Sequence, residues 1–384
     1  MQRVSQKRLI EVQVGSLTFA RAVGFLSLRE AINVLDLESQ VRRGNNLNPN
    51  PLVSFVTPFY NTREFLAECI ESVLCQTCQN WEYVLVDNCS TDGSNEIAEK
   101  YASRYPGKIR LMHTRSFLSQ VQNYNFALSC ISPESQYCKM VQADDWLFPE
   151  CVNRMVALAE AHPSVGIVAA YALAGRFVES DGLPYPSTEI NGRDVCRLYL
   201  LENRYVFGTP TSLLMRSELV RSRLPFYDER YAPFEDAHVC FDLLKDCDFG
   251  FVHQVLSFSR RDNDSILRRI GKLGSLAFCR LALVATHGKN HLSEAEYSEC
   301  LREAERQYFA FLGRSALQNR GSEFWGFHRT KLTSIGYHLD WRMLVKWIAL
   351  GIIEYLRTPG QSWRRYRTHK GMAPERLPNV LGER

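Results

Sequence analysis

Tyr137-Cys138-Lys139-Met140-Val141-Gln142-Ala143-Asp144-Asp145-Trp146 is the stretch on which the reading of this chain turns. Its largely apolar start, Tyr137 to Val141, reads as a short buried strand, and two adjacent carboxylates follow it at once. In an open α/β sheet, ligands sit at the carboxyl ends of the strands. Hard cations such as Mg²⁺ or Mn²⁺ take oxygen ligands, commonly one or two carboxylates plus substrate phosphates. Asp144 and Asp145 therefore read as a metal-diphosphate site. The same pair could instead cap a helix beginning near Phe148-Pro149-Glu150, where Pro takes an early helical position. The flanking sequence weighs the two readings.

Working outward, apolar strand-like runs alternate with segments of helical period. The strands are Leu52 to Thr57, Tyr83 to Val86, Ile109 to His113, Tyr137 to Val141 and Val165 to Tyr171. The helices are Arg63 to Leu74, Ser94 to Tyr105, Ser119 to Ser129 and Glu150 to Ala161. The first helix shows its buried face in Phe65, Leu66, Cys69, Ile70, Val73 and Leu74. Such alternation predicts an α/β fold with a mostly parallel sheet flanked by helices. Beyond Asp181-Gly182-Leu183-Pro184 the pattern is mixed. A helix near Gly192 to Glu202, a strand near Ser212 to Met215 and a helix Ala237 to Lys245 lead to a last strand pair, Gly250 to Val252 and Val255 to Ser259. From about Ile266 the chain reads as helical, near Leu276 to His287, Ser293 to Leu317 and Met343 to Leu356. Three regions are expected: an extension and linker over 1–50, closed by the breaker cluster Gly44 to Pro51, an α/β domain over 51–265, and a helical region over 266–384.

Composition bounds the function. With 384 residues, 45% hydrophobic and 23% charged, the chain has ample core for a large globular fold. A net charge of +4 gives no global case for a nucleic-acid partner. The twelve cysteines are scattered, and Cys75/Cys78 has no second pair to complete a zinc site, so reduced thiols in a cytoplasmic protein are expected. No signal-peptide pattern and no apolar run long enough to span a membrane is visible.

The strand ends carry the chemistry. Strand one runs into Val56-Thr57-Pro58-Phe59-Tyr60-Asn61, and strand two into Val86-Asp87-Asn88-Cys89-Ser90-Thr91-Asp92-Gly93-Ser94. A carboxylate at a strand end, Asp87, suits the N–H and O–H groups of a nucleotide laid across the sheet. Residues 88–93 could equally be only a turn, with Asp92 capping the following helix.

Together with Gln142-Ala143-Asp144-Asp145, these two segments resemble the successive motifs of family 2 glycosyltransferases, over about Leu52 to Ser265. The resemblance implies a GT-A, Rossmann-like fold, a nucleoside-diphosphate sugar donor, uridine favoured over guanosine, and inverting transfer assisted by a divalent cation. It places Pro58, Tyr60, Asn61, Asp87 and Asn88 around the nucleotide and Asn125 beside the donor sugar. The Arg usual before that Asn is Tyr124 here, and the first Asp of the metal motif is Gln142. Asp144 matches the direct metal ligand, with Asp145 next to it. In Pro233-Phe234-Glu235-Asp236, Asp236 is the expected base that deprotonates the acceptor, with Glu235 second. Both acids could instead serve only the N-terminus of the next helix. After the last strand, Arg260 and Arg261 are candidate diphosphate clamps, and Asp262 stands where the family often has a metal-binding His. His238 and His253 read as ordinary polar or core residues.

The expected acceptor is a glycan or lipid-linked hydroxyl in surface polysaccharide synthesis. The helix Met343 to Leu356 and the basic aromatic run Trp363-Arg364-Arg365-Tyr366-Arg367 allow peripheral contact with the inner membrane surface, although packing explains the same apolar face. Two other classes compete. A nucleotidyltransferase would need a Gly-rich, basic loop after strand one, and Pro58-Phe59-Tyr60-Asn61-Thr62-Arg63 is not one. A binding module with a decayed catalytic site would bind nucleotide or glycan without turnover.

Overall fold

The computed structural model describes residues 50–261, 271, 273–318, 320–339 and 341–357. The first half is a regular alternation: β1 (Val53–Phe59), α1 (Leu66–Leu74), β2 (Trp81–Asp87), α2 (Ser94–Arg104), β3 (Ile109–His113), α3 (Gln120–Ser129), β4 (Tyr137–Met140), β5 (Trp146–Leu147), α4 (Cys151–Ala161) and β6 (Val165–Ala174). β1 is buried along its whole length, as a central strand of a parallel sheet covered on both faces must be. The second half adds β7 (Phe177–Glu179), β8 (Glu189–Ile190), α5 (Gly192–Glu202), β9 (Leu213–Arg216), α6 (Ser217–Arg221), α7 (Glu235–Leu243) and β10 (Asp248–Ser259). Four helices follow: α8 (Ser275–His291), α9 (Glu294–Ala316), α10 (Ser322–Ser334) and α11 (Trp341–Arg357).

The strands form one sheet in the order β3-β2-β1-β4-β9-β6-β10-β5. β3, β2, β1 and β4 are mutually parallel, β9 runs antiparallel between β4 and β6, and β10 is parallel to β6. The chain builds outward from β1 to β3, then returns to the other side of β1 as β4. That reversal leaves a crevice at the carboxyl ends of β1 and β4. Pro58 helps open it. Val56 accepts from Val141 N on the β4 side and Phe59 accepts from Asn88 N on the β2 side, so position 58 faces β4. Proline has no N–H to give that ladder, and the register with β4 ends at Val56–Met140.

The two faces of the sheet carry separate cores. Phe55, Tyr83 and Leu85 pack under α1, α2 and α4 with Leu66, Ile70 and Val152, while Val56, Val84 and Val86 face α3 through Val121 and Ala127. The second core continues through Phe241 to Phe278, Tyr308, Leu312 and Leu332, so the C-terminal helices close the same buried cluster as the sheet. The expected start of the helical region near residue 266 lies outside the described residues.

Several sequence expectations shift. The expected strand pair Gly250 to Val252 and Val255 to Ser259 is one strand, β10, with register irregularities against β6 between Val252 and Val255. A bulge bends a strand without ending it, which alternation alone reads as a break. The Asp pair is followed by strand β5, paired with Ser257 and Phe258 of β10, and α4 begins only at Cys151 with Glu150 as its N-cap. α1 starts at Leu66 because a turn comes first, with Phe65 N and Leu66 N both donating to Thr62 O. Helix α10 lies between the helices named from the sequence, inside the stretch expected to be helical; Gly321 is its N-cap, Gly326 weakens its propensity, and packing of Phe324, His328 and Leu332 supplies the stability.

Candidate active site

At the β2 end, Asp87 is nearly buried. Its Oδ1 accepts from Ser90 N at 3.0 Å, and Oδ2 lies 3.6 Å from His113 Nδ1. Asp92 organises the turn instead: Oδ1 accepts from the N and Oγ of Ser94, Oδ2 from Arg63 N, and these bonds hold its carboxyl below the usual range although burial opposes them. Asn61, at φ 49°, joins the two strand-end loops through Ser90 Oγ and Thr91 N. Asn88 is a clamp. Its amide donates to Leu118 O at 3.0 Å and accepts from Leu118 N at 2.9 Å, fixing the loop after β3. That loop carries Phe117, which meets Tyr60 edge-to-face with centroids 4.8 Å apart. Both rings are exposed, at 44% for Tyr60 and 61% for Phe117, over the mouth of the crevice beside Asp87. No motif spacing marked Phe117.

At the β4 end, the adjacent carboxylates have different environments. Asp144 is half-buried. Asp145 is 4% exposed, and its oxygens accept from Thr211 Oγ1 at 2.6 Å, Ser259 Oγ at 3.2 Å and Arg260 N at 2.9 Å. Burial, and secondarily the charge of Asp144, push its carboxyl up to about 7. The geometry makes Asp145 a tie between β4, the 209–212 turn and β10. Thr211, which the sequence did not single out, also accepts from Gln142 N at 3.1 Å, and its carbonyl accepts from buried Lys139 at 2.6 Å. Among the described residues, no group of three or more His, Cys, Asp or Glu side chains gathers in a metal-holding arrangement. Asp262 lies outside the described residues.

The two positions that depart from the family pattern touch each other. Gln142 Nε2 donates to Tyr124 Oη at 2.9 Å, and Gln120 Nε2 donates to the same oxygen at 2.7 Å. Burial raises the Tyr124 phenol, and the charges of Glu235 and Asp144 push it the same way. Asn125, next on the same helix, repeats the Asn88 device: Nδ2 donates to Tyr227 O and Oδ1 accepts from Tyr227 N, both at 2.7 Å. Its amide holds the chain just before the acid pair.

Glu235 and Asp236 open α7. Glu235 is buried, with Oε2 lacking a hydrogen-bond partner among the described residues, and burial raises its carboxyl against the opposing pull of Lys331 on α10. Asp236 accepts from Ala237 N at 2.8 Å, and burial followed by the Glu235 charge raises it too. Lys331 donates to Arg230 O, and Glu229 accepts from Ser119, the N-cap of α3, and from Gln122, so the segment before the acid pair is tied on two sides.

Arg260 lies 4.4 Å over Phe65 and 5.3 Å over Trp146, donates to Asp144 O and pairs with Glu68. Arg261 Nη2 donates to both carboxylate oxygens of Glu179. His253 is engaged by Tyr171 and Ser187 O, and His238 by His287 and a stacked Tyr231. All twelve cysteines are free thiols.

Residues 54–223 match the model of Glycosyl transferase family 2. The chain is 35% identical over 122 residues to the putative glycosyltransferase EpsE of Bacillus subtilis, a match covering 32% of this chain and 43% of EpsE. It is 29% identical over 230 residues to the glycosyltransferase GlyG of Streptococcus pneumoniae, covering 56% of this chain and 73% of GlyG. The chain thus spans less than half the length of EpsE. In structure it is similar to residues 1–349 of S. aureus TarS in complex with UDP, with a TM-score of 0.54 at 18% identity over 85% of this chain and 94% of that one.

Proposed function

Because residues 54–223 are a family 2 glycosyltransferase domain on a GT-A fold, we propose that this protein moves one sugar from a UDP-sugar to a hydroxyl of a growing surface glycan, with inversion at the anomeric carbon. The observation that carries the reading is the match of residues 54–223 to Glycosyl transferase family 2, with Asp87 buried at the end of β2 and Asp144 half-buried just past β4 at the crevice. The UDP bound to similar TarS supports the choice of nucleotide.

The geometry supports the following roles. The base and ribose lie at the exposed Tyr60–Phe117 pair, with Asp87 as acceptor for their N–H and O–H groups. Pro58, Asn61 and Asn88 shape this pocket, because the crevice opens at Pro58 and the two Asn side chains tie down its rims. The donor set suits a divalent cation held by Asp144 together with the diphosphate oxygens, since such ions need few protein carboxylates when phosphates are present. When bound, Mn²⁺ or Mg²⁺ would supply charge opposing that of the departing diphosphate. Asp145 serves by holding Asp144 in place. Asp236 takes the acceptor proton as its oxygen attacks, and Glu235 keeps the Asp236 carboxyl basic by like-charge repulsion. Arg260 shapes the wall beside Asp144, and Arg261 becomes a phosphate ligand only by releasing Glu179. The catalytic unit is the segment 51–265, with α10 contributing Lys331 beside the acid pair.

The test is nucleoside-diphosphate release from UDP-, GDP- and dTDP-sugars with Mn²⁺ or Mg²⁺, with nucleotide binding read in the same samples. Wild type should release UDP from one donor, and Asp144→Ala and Asp236→Ala should each lose about a hundredfold or more in rate. Absence of binding by every nucleotide would overturn the donor site. UDP binding with no turnover toward any offered acceptor would favour the decayed binding module.

A further inference from the structure

Three strand ends line up at one corner of the crevice. In the parallel register Phe59 of β1 sits beside Asp87 of β2, and Asp87 sits beside His113 of β3. Register neighbours on adjacent strands project from the same face of a sheet, so the Asp87 carboxyl and the His113 imidazole leave it side by side. Their backbones are fixed: Thr114 N donates to Asp87 O at 3.0 Å, and the Thr114 hydroxyl donates to Asn88 Oδ1 at 3.2 Å. The imidazole itself is unspent. It is 52% exposed and makes no hydrogen bond among the described residues.

Asp87 is unspent on one side as well. Its Oδ1 accepts from Ser90 N, while Oδ2 makes no hydrogen bond among the described residues and lies 3.6 Å from His113 Nδ1. That separation is too long for a hydrogen bond, so neither group uses up the other's capacity. A carboxylate oxygen only accepts, whereas an imidazole Nδ1–H, the form a neighbouring carboxylate favours, donates. The strand ends thus present an acceptor and a donor next to each other. The exposed rings of Tyr60, which follows Phe59 directly, and Phe117, in the loop after His113, stand at the same mouth.

Such a pair discriminates between pyrimidines. Uracil carries a donor, N3–H, next to the O4 acceptor; cytosine has the pattern reversed, a bare N3 next to the N4 amino group. Aromatic rings alone tolerate both, because every base has a π-face. Asp87 answers N3–H, and only a donor beside it answers O4. We propose that His113 is a base-specificity residue of the donor site, its Nδ1–H donating to uracil O4 while Asp87 Oδ2 accepts from N3–H. The inference rests on the donor-site reading and adds to it a residue that no motif marked.

Its test is calorimetric titration of the full chain with UDP and with CDP in buffer containing Mn²⁺. Wild type should bind UDP about tenfold or more tighter than CDP, since both base contacts are matched in one and reversed in the other. His113→Ala should weaken UDP by about fivefold or more and leave CDP unchanged or tighter, so that the preference narrows. His113→Asn keeps an N–H near the place of Nδ1 and should restore most of it. The side chain is exposed, so the unfolding midpoint of both variants should stay at the wild-type value. A His113→Ala variant that binds UDP as wild type does overturns the proposal. So does one that loses UDP and CDP by the same factor, which would put the imidazole on ribose or phosphate, and so does equal binding of the two nucleotides by wild type. Each of these results leaves the donor site standing, whereas a wild type that binds neither nucleotide overturns the donor site and the proposal together.

Discussion

Replacing Asn125 by Ala tests whether this residue acts on the donor directly or through the chain it clamps. Its amide makes two bonds of 2.7 Å to the N–H and C=O of Tyr227, a residue whose side chain is buried against Tyr124. Removing the amide leaves both backbone groups unpaired in a partly dry setting. At about 1 kcal/mol per net hydrogen bond, and more where the orphaned group stays unsolvated, the loss should be about 2–4 kcal/mol. Asn125→Asp is the sharper control. It keeps an acceptor for Tyr227 N but turns a carboxylate oxygen toward Tyr227 O, so it should cost at least as much as Ala. Urea unfolding reads both as lower midpoints at unchanged slope. Because the clamp lies just before Glu235, acceptor turnover should fall more steeply than UDP affinity. An Ala variant within about 0.5 kcal/mol of wild type that nevertheless loses UDP binding would refute the reasoning and restore Asn125 as a donor contact.

Thr211→Val should cost about 2–4 kcal/mol, because it strips a donor from buried Asp145 and an acceptor from Gln142 N, whereas Thr211→Ser should stay within about 1 kcal/mol; urea midpoints separate the two. For the acid pair, the base must be deprotonated, so kcat/KM should rise with pH through an apparent pKa above the ordinary carboxylate range and then level off. Glu235→Gln removes the like charge beside Asp236 and should move that limb to lower pH, while Lys331→Met removes an opposing cation and should move it to higher pH; a limb unmoved in both excludes the pair as base. Stability takes the opposite sign, since raised carboxyl pKa values favour the folded state at low pH and that contribution is lost as pH rises through them. Chelating divalent cations should abolish turnover while leaving the unfolding midpoint unmoved, because the buried Asp145 carboxylate is already satisfied by protein donors; full activity in metal-free buffer would exclude a cation role for Asp144.

The local pattern of the chain determined much of this protein. The alternation of apolar runs with helical faces defines the α/β class, and β3, for instance, spans the same residues, Ile109 to His113, in sequence and structure. These features are legible because strand and helix periods repeat within a few residues. What only the tertiary structure decided depends on partners distant along the chain. Asp144 and Asp145 are adjacent carboxylates of the same chemistry, yet Asp145 turns inward to Thr211, Ser259 and Arg260, which reach it from the 209–212 turn and β10. The amides of Asn88 and Asn125 read as ligand contacts because exposed polarity looks the same whether it meets a substrate or a backbone. Folding gave them Leu118 and Tyr227. The bulge in β10 hid one strand as two, and α10 forms against weak local propensity because Phe324, His328 and Leu332 find a core that no window of sequence contains. Periodicity is a property of neighbours in the chain, and the assignment of each polar group is a property of neighbours in space.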